Sequence, residues 1–195
     1  MTDISSREHA LEQRVFDEWP PELRALFDGT ALAEKAGFTA SLTTLDANGH
    51  LRTSLLSLGE LYAPDARTLC FALWPSSRAA RSLSRRAQRE RARAALAFVH
   101  DEAFYQVQLN VEPLADGTDA INASHAHEAA SGLACYVASI EAGEAQRVRY
   151  ARLTSGIAFE LEEGEGRDAV LARWQRQIAL LRQAAERAAG DQRSR

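Results

Sequence analysis

The sequence predicts an α+β protein: a small, closed or nearly closed barrel of mostly antiparallel strands, with helices added at both ends. Three observations carry this. Two runs of β-forming residues flank Asp46-Ala47-Asn48-Gly49, a hairpin signature. Further strand-like runs at Thr68–Trp74, Ala94–His100 and Phe104–Leu114 bring the total to about five, interrupted by one helical segment, a pattern that suits a barrel. Apolar residues also recur at helical spacing before residue 38 and after residue 168.

The chain has 195 residues, 46% of them apolar and 26% charged, enough for one domain, or one domain with added helices, around a real core. That apolar content excludes general disorder. A membrane-crossing helix is excluded too, because the longest clean apolar run, Ala94–Val99, is far short of the roughly 20 residues required. The polar N-terminus, MTDISSREHALEQ, lacks the apolar stretch of a secretory signal. Cys70 and Cys135 sit among apolar neighbours and read as reduced, buried thiols of a cytoplasmic protein. A net charge of −4 gives no general pull toward nucleic acid. Of the 23 basic residues only Lys35 is a lysine, which reads as genomic composition.

Each element follows in order. Ser6 can cap a first helix whose apolar positions Leu11, Val15 and Trp19 fall at i, i+4 and i+8. Trp19-Pro20-Pro21 stops it, since a proline biases its predecessor out of the helical region. A second helix over Glu22–Phe27 ends at Asp28-Gly29, and a third over Thr30–Ala36 ends at Gly37, a natural left-handed cap. Phe38–Leu45 and Leu51–Leu58 are the hairpin strands; alternation puts Arg52, Ser54 and Leu56 on one face, Thr53, Leu55 and Ser57 on the other. Ala63-Pro64-Asp65 is a turn before the apolar strand Thr68–Trp74. Ser76 or Ser77 caps a helix over Ser77–Gln88 with an Ala79, Ala80, Leu83 stripe. Two strands follow around an Asp101-Glu102 turn. Beyond them, Asp119–Ala130 reads as a helix, 131–150 is ambiguous, and Ile157–Leu161 alternates as a last strand. Glu162–Arg167 is a loop, Asp168–Ala189 an amphipathic helix through Val170, Leu171, Trp174, Ile178 and Leu181, and Gly190–Arg195 a frayed tail.

The common hydrolase, nucleotide-triphosphatase and zinc-enzyme signatures are absent from the sequence. Four features remain. Arg52-Thr53-Ser54 puts a cation and two hydroxyls on a half-buried strand, or else presents an ordinary edge arginine to water. Trp74-Pro75-Ser76-Ser77-Arg78 joins a strand end to a helix start, where free N–H groups, hydroxyls and a guanidinium form a generic anion receptor as well as an ordinary cap. Arginines at 78, 81, 85, 86, 89, 91 and 93 coat the helix that follows; without interleaved aromatics to stack bases, they read as a solvated face. His125 and His127, two residues apart, point to different sides of a helix and make a poor metal pair, so no metal site is expected.

The order of hairpin, Arg52-x-x-Leu55-Leu56 strand, apolar strand, Ser77-Arg78-x-x-x-x-Leu83 helix, strand, turn and Gln106-Val107 strand resembles the pyridoxamine 5′-phosphate oxidase-like split-barrel flavoproteins over about residues 36–114. The resemblance implies a split barrel of six to seven mostly antiparallel strands and flavin mononucleotide (FMN) bound in a cleft between two subunits of a homodimer. On it, Arg52, Thr53 and Ser54 match the strand that lines the flavin, Ser77 and Arg78 the pair that helps hold the phosphate, and Gln106 a glutamine near the ring. Ser76 adds a hydroxyl at the same turn, and Trp74 can supply part of an apolar wall. The sequence departs from the family in three places. Ala79 stands where a lysine usually follows Ser-Arg, with Arg81 a short step further to compensate; Val111 replaces a common glycine; and the arginine-containing, substrate-gripping C-terminus of true pyridoxamine phosphate oxidases is missing.

The resulting expectation is an N-terminal helical extension over 1–37, an FMN-binding split barrel over 38–163, and a C-terminal helix and tail over 164–195. The expected function is a cytoplasmic, homodimeric flavin-dependent oxidoreductase acting on a small molecule, not a pyridoxamine phosphate oxidase, and without nucleic-acid or membrane partners. The other reading is a non-catalytic split barrel that has lost flavin or binds another flat ligand such as haem; Ala79 favours it. No residue has a strong claim as general acid or base. His100 and Tyr105 are candidates only through their nearness to the cleft strands.

Overall fold

A computed structural model describes residues 11–87, 91–114 and 132–193. The hairpin forms as its turn residues dictate. Strand β2 (Thr39–Leu45) pairs antiparallel with β3 (Leu51–Ser57), Thr43 opposite Thr53. Asp46 accepts the N–H groups of Asn48 and His50 on Oδ1, both at 2.9 Å, and Gly49 closes the turn at φ 80°, a conformation glycine adopts without Cβ strain.

Beyond β3 a 3₁₀ turn (Leu58–Glu60) leads into the two-residue β4 (Leu61–Tyr62), then β5 (Thr68–Leu73). Helix α2 (Arg78–Ala87), preceded in the chain by the short α1 (Pro21–Leu26), leads to β6 (Ala92–His100) and β7 (Ala103–Pro113). The longest strand, β8 (Ala134–Val148), and a C-terminal helix α3 (Glu165–Arg193) complete the set. All pairings are antiparallel, in the order β3-β2-β6-β7-β8-β5-β4. The two ends of this path, β3 and β4, are joined in the chain by the three-residue 3₁₀ turn alone, so the sheet must curl until its edges approach. The result is an α+β split barrel.

Odd-numbered residues of β7, from Tyr105 to Val111, point inward and are buried, as are Ala94, Leu96 and Phe98 of β6. Helix α2 inserts Ala79, Ala80 and Leu83 into the same core, and α3 covers the β4–β5 side with Trp174, Ile178 and Leu181. Trp174 lies so close to Gly59 that a Cβ there would stand 2.2 Å from its ring. Among the described residues, no helix is long and apolar enough to cross a membrane.

The structure corrects several expectations. Leu11–Phe16 is a strand, β1, not a helix; it pairs with 143–148 of β8, where Phe16 covers Gly143. Long β8 has β5 along only the first part of one edge, and β1 pairs with residues 143–148 of the rest. Of the helical extension expected over 1–37, the described residues therefore hold a strand, one six-residue helix and turns, since Thr30–Ala36 forms only an isolated turn on the Ala31 carbonyl. The ambiguous 131–150 stretch supplies β8. Ile157–Leu161 does not form a strand; a single bridge, Phe38 to Ala158, ties it down. The continuous path of the barrel has seven strands, within the expected six to seven, and β1 adds an eighth beside β8. The expected cap at Ser6, the helix over Asp119–Ala130, and His125 and His127 lie outside the described residues.

Candidate functional site

The site begins with β3, the edge strand of the sheet. Arg52 and Ser54 share the face of Thr44, Ala94 and Leu109, which is the face α2 covers. The Arg52 guanidinium is engaged: its Nε donates to Asp46 Oδ2 at 3.0 Å. The backbone N–H of His50 first, then Arg52 and the N–H of Asn48, hold the Asp46 carboxyl down to about 2. Thr53 lies on the opposite face, its hydroxyl 3.2 Å from that of Thr43.

The second part is the turn from β5 into α2. Ser77 N–H donates to Trp74 O at 2.8 Å, and Ser77 Oγ accepts the Ala80 N–H at 3.1 Å, a standard N-cap. The side chains of Ser76, Arg78 and Arg81 are exposed, and among the described residues none of them has a hydrogen-bond or ion-pair partner. The turn thus offers unspent first-turn N–H groups, two hydroxyls and two free cations, the elements of an oxyanion receptor. Ala79 is buried in the core, so the position of the missing lysine points away from this receptor.

These two parts lie at opposite ends of α2. Arg86, in its last turn, donates to Asp46 O at 3.4 Å beside Arg52, whereas Ser77 caps its first. A helix of 10 residues separates them by about 15 Å. The far end of β3 returns to the receptor: Ser57 and Trp74 line one hollow with Glu60, Phe159, Trp174 and Gln177. Glu60 is fixed there by Ser57, whose N–H and hydroxyl donate to Oε2 at 2.7 and 2.9 Å. Ser57-x-x-Glu60 is a capping-box spacing, legible in the sequence although only the structure places it beside Trp74. Among the described residues, the side-chain oxygen of buried Gln177 has no hydrogen-bond partner.

Gln106 is not brought to these residues. It stands exposed on the outward face of β7, between Ala97 and Glu144. One row runs across that face through Leu55, Ser41, Ala97, Gln106, Glu144 and Val15. Leu55 and Leu51, at 55% and 71% exposed, edge this face at β3. The predicted residues therefore divide between two faces of one sheet, Arg52, Ser54, Ser77 and Arg78 on the α2 side, Thr53 and Gln106 on the outside.

The acid–base candidates carry little chemistry. Tyr105 is buried, stacked on Phe98 at 5.2 Å, and burial pushes its hydroxyl pKa up. His100 lines a hollow of about 450 Å³ at the β6–β7 turn, whose charges are spent in the pairs Arg152–Glu102 at 3.3 Å and, beside it, Arg147–Asp101 at 2.8 Å. Burial raises the Cys70 thiol to about 12 and raises Cys135 too, so neither is a nucleophile at neutral pH. Among the described residues no group of three or more metal-ligating side chains converges.

By fold, then, the chain is an antiparallel split barrel whose helix α2 starts at an exposed turn of hydroxyls and cations. No family model matches it. It is 26% identical over 176 residues to the uncharacterized protein YclD of Bacillus subtilis, spanning 90% of this chain and 98% of that protein. Similar solved structures include an F420 reductase, 14% identical, covering 64% of this chain and 98% of that one at a TM-score of 0.45. A Clostridium acetobutylicum protein related to general stress protein 26 of B. subtilis, of the pyridoxinephosphate oxidase family, is 17% identical and covers 70% and 94% at 0.41. HutZ, the haem storage protein of Vibrio cholerae, is 11% identical and covers 64% and 91%, also at 0.41. At these identities and scores the fold stands on the strand order and register given above.

Proposed function

We propose that this protein binds FMN as a homodimer and serves as a flavin-dependent oxidoreductase on a small molecule in the cytoplasm. The observation that carries the reading is the Trp74–Arg81 turn: an exposed helix start with Ser76, Ser77, Arg78 and Arg81 grouped where a phosphate dianion is favoured. The order of sequence features that resembles split-barrel flavoproteins supports it independently. In this reading Ser76, Ser77, Arg78 and Arg81 hold the phosphate, and the open edge of β3 at Arg52, Thr53 and Ser54 borders the ring through its backbone, with Trp74 as part of an apolar wall. Bound flavin supplies hydride and electron transfer, while the protein binds, orients and excludes water.

The same geometry supports the homodimer. The hollow beside Trp74 is about 230 Å³, below the roughly 300–1,000 Å³ of ligand pockets, so one copy does not enclose a ring system there. Gln106 faces away from the turn of its own chain, so in this reading its contact with flavin is made in a site completed by a second copy. The outward face with Leu51 and Leu55 is the surface for that copy.

Buried Ala79 favours the second reading, a barrel that binds a flat ligand without phosphate, such as haem, or none. The absorbance spectrum of freshly purified protein, followed by FMN titration, separates them. The flavin reading predicts flavin bands or saturable FMN uptake. A haem spectrum, or a colourless protein indifferent to FMN, contradicts it.

A further inference from the structure

We infer that Tyr136 is the positioning residue for the phosphate receptor: its buried hydroxyl fixes the first turns of α2, and so the height and rotation of the Ser77–Arg78 start, against β8. This rests on the reading of that turn as a phosphate site. Tyr136 is fully buried on β8, opposite Phe71 in register and stacked on it at 5.2 Å and 18°, so the ring has one available orientation. Its hydroxyl lies 3.0 Å from Ala80 O and 3.1 Å from Ser84 Oγ. A carbonyl only accepts, so the tyrosine proton goes to Ala80 O, and Ser84 must then donate to the tyrosine oxygen. Both bonds land on α2, one turn apart and on the helix face toward the barrel.

Ala80 is also the residue whose N–H is capped by Ser77 Oγ. The same residue is therefore held on both sides, by the cap on its N–H and by β8 on its carbonyl. Ala79, Ala80 and Leu83 set the depth of α2 by packing, but small side chains leave rotation about the helix axis poorly defined. The two directional bonds of Tyr136 supply that missing constraint. Its chemistry is purely donor and acceptor, because burial pushes its pKa up and keeps it protonated. Without the hydroxyl, Ser84 can turn back to the Ala80 carbonyl of its own helix, satisfying itself while releasing α2 from β8.

The test is Tyr136→Phe, which keeps the stacked ring. In calorimetric titration the variant should bind FMN roughly tenfold more weakly, the size of one lost net hydrogen bond, while riboflavin, which lacks the phosphate, changes less than about twofold. A parallel loss for both flavins, or no loss for either, overturns the inference. Amide exchange of Arg81 in the flavin-free protein, whose N–H bonds Ser77 O at 3.2 Å, is the second readout. It should accelerate in Tyr136→Phe, and an unchanged rate overturns the positioning role whatever the ligand proves to be. Wild-type protein that binds FMN no better than riboflavin sinks the phosphate reading instead. Should Tyr136→Phe fail to fold, Ser84→Ala, which removes only the outer bond, should shift both readouts in the same direction by a smaller factor; no shift there overturns the inference.

Discussion

Asp46 is the residue on which the β2–β3 turn depends. It accepts two backbone N–H groups and the Arg52 guanidinium, which together hold its carboxyl at about 2, below the ordinary 3.8. A carboxyl depressed on folding stabilises the native state above its ordinary pKa, and that contribution is lost as pH falls through the folded value. The window here runs from about pH 4 down to about 2. An NMR titration of the Asp46 side chain should give a midpoint near 2, and Arg52→Ala should raise it while the backbone donors keep it depressed; an unmoved midpoint contradicts the pairing. The turn itself was legible from Asp46-x-x-Gly49, and Ser77 from its place before an apolar stripe, because both act over three or four residues. The engagement of Arg52 was not, since its reach to Asp46 depends on the hairpin register. Nor was the burial of Ala79, which depends on how α2 seats on the barrel.

At the scale of elements, sequence pattern and structure differ where the decisive contact is distant in sequence. Leu11, Val15 and Trp19 satisfy a helical period, yet the partner that decides the matter is the open edge of β8, more than 120 residues away. That strand was itself obscured. Its register against β7 slips between Gln108 and Leu109, leaving Glu141 and Ala142 both exposed, so inward residues change parity and no single period-two pattern survives. By contrast, β2, β3, β5, β6, β7 and α2 lay close to where alternation and apolar stripes put them. The C-terminal helix was also legible, but not its seat: Trp174 rests on Gly59 because that residue has no side chain. Gly59→Ala should therefore force α3 away from the 3₁₀ turn and cost about 1–3 kcal/mol, read as a lowered urea midpoint. An unchanged midpoint contradicts this packing.

For the whole molecule, the split of predicted residues between two sheet faces is the main consequence of the strand order. A single copy presents the receptor, with Gln106 on the other side of the barrel wall. In the proposed dimer, two copies meet across the outward face, which sets Gln106 of one copy near the β3 edge of the other. Leu55→Glu places a charge on that face, away from the core. Sedimentation should find the wild type dimeric and the variant monomeric, with FMN binding weakened in step; a wild-type monomer that binds FMN contradicts the shared site. None of this pairing could be read from a strand alone, because which residues share a face follows from the register of five neighbours.

The receptor at the start of α2 is best tested by the ³¹P resonance of FMN bound to the wild-type protein, followed with pH. A phosphate gripped by Arg78, Arg81 and the helix start should stay dianionic, its resonance flat through about pH 6, where an unbound phosphate monoester titrates. A bound phosphate that still titrates there as it does in free FMN would contradict the account.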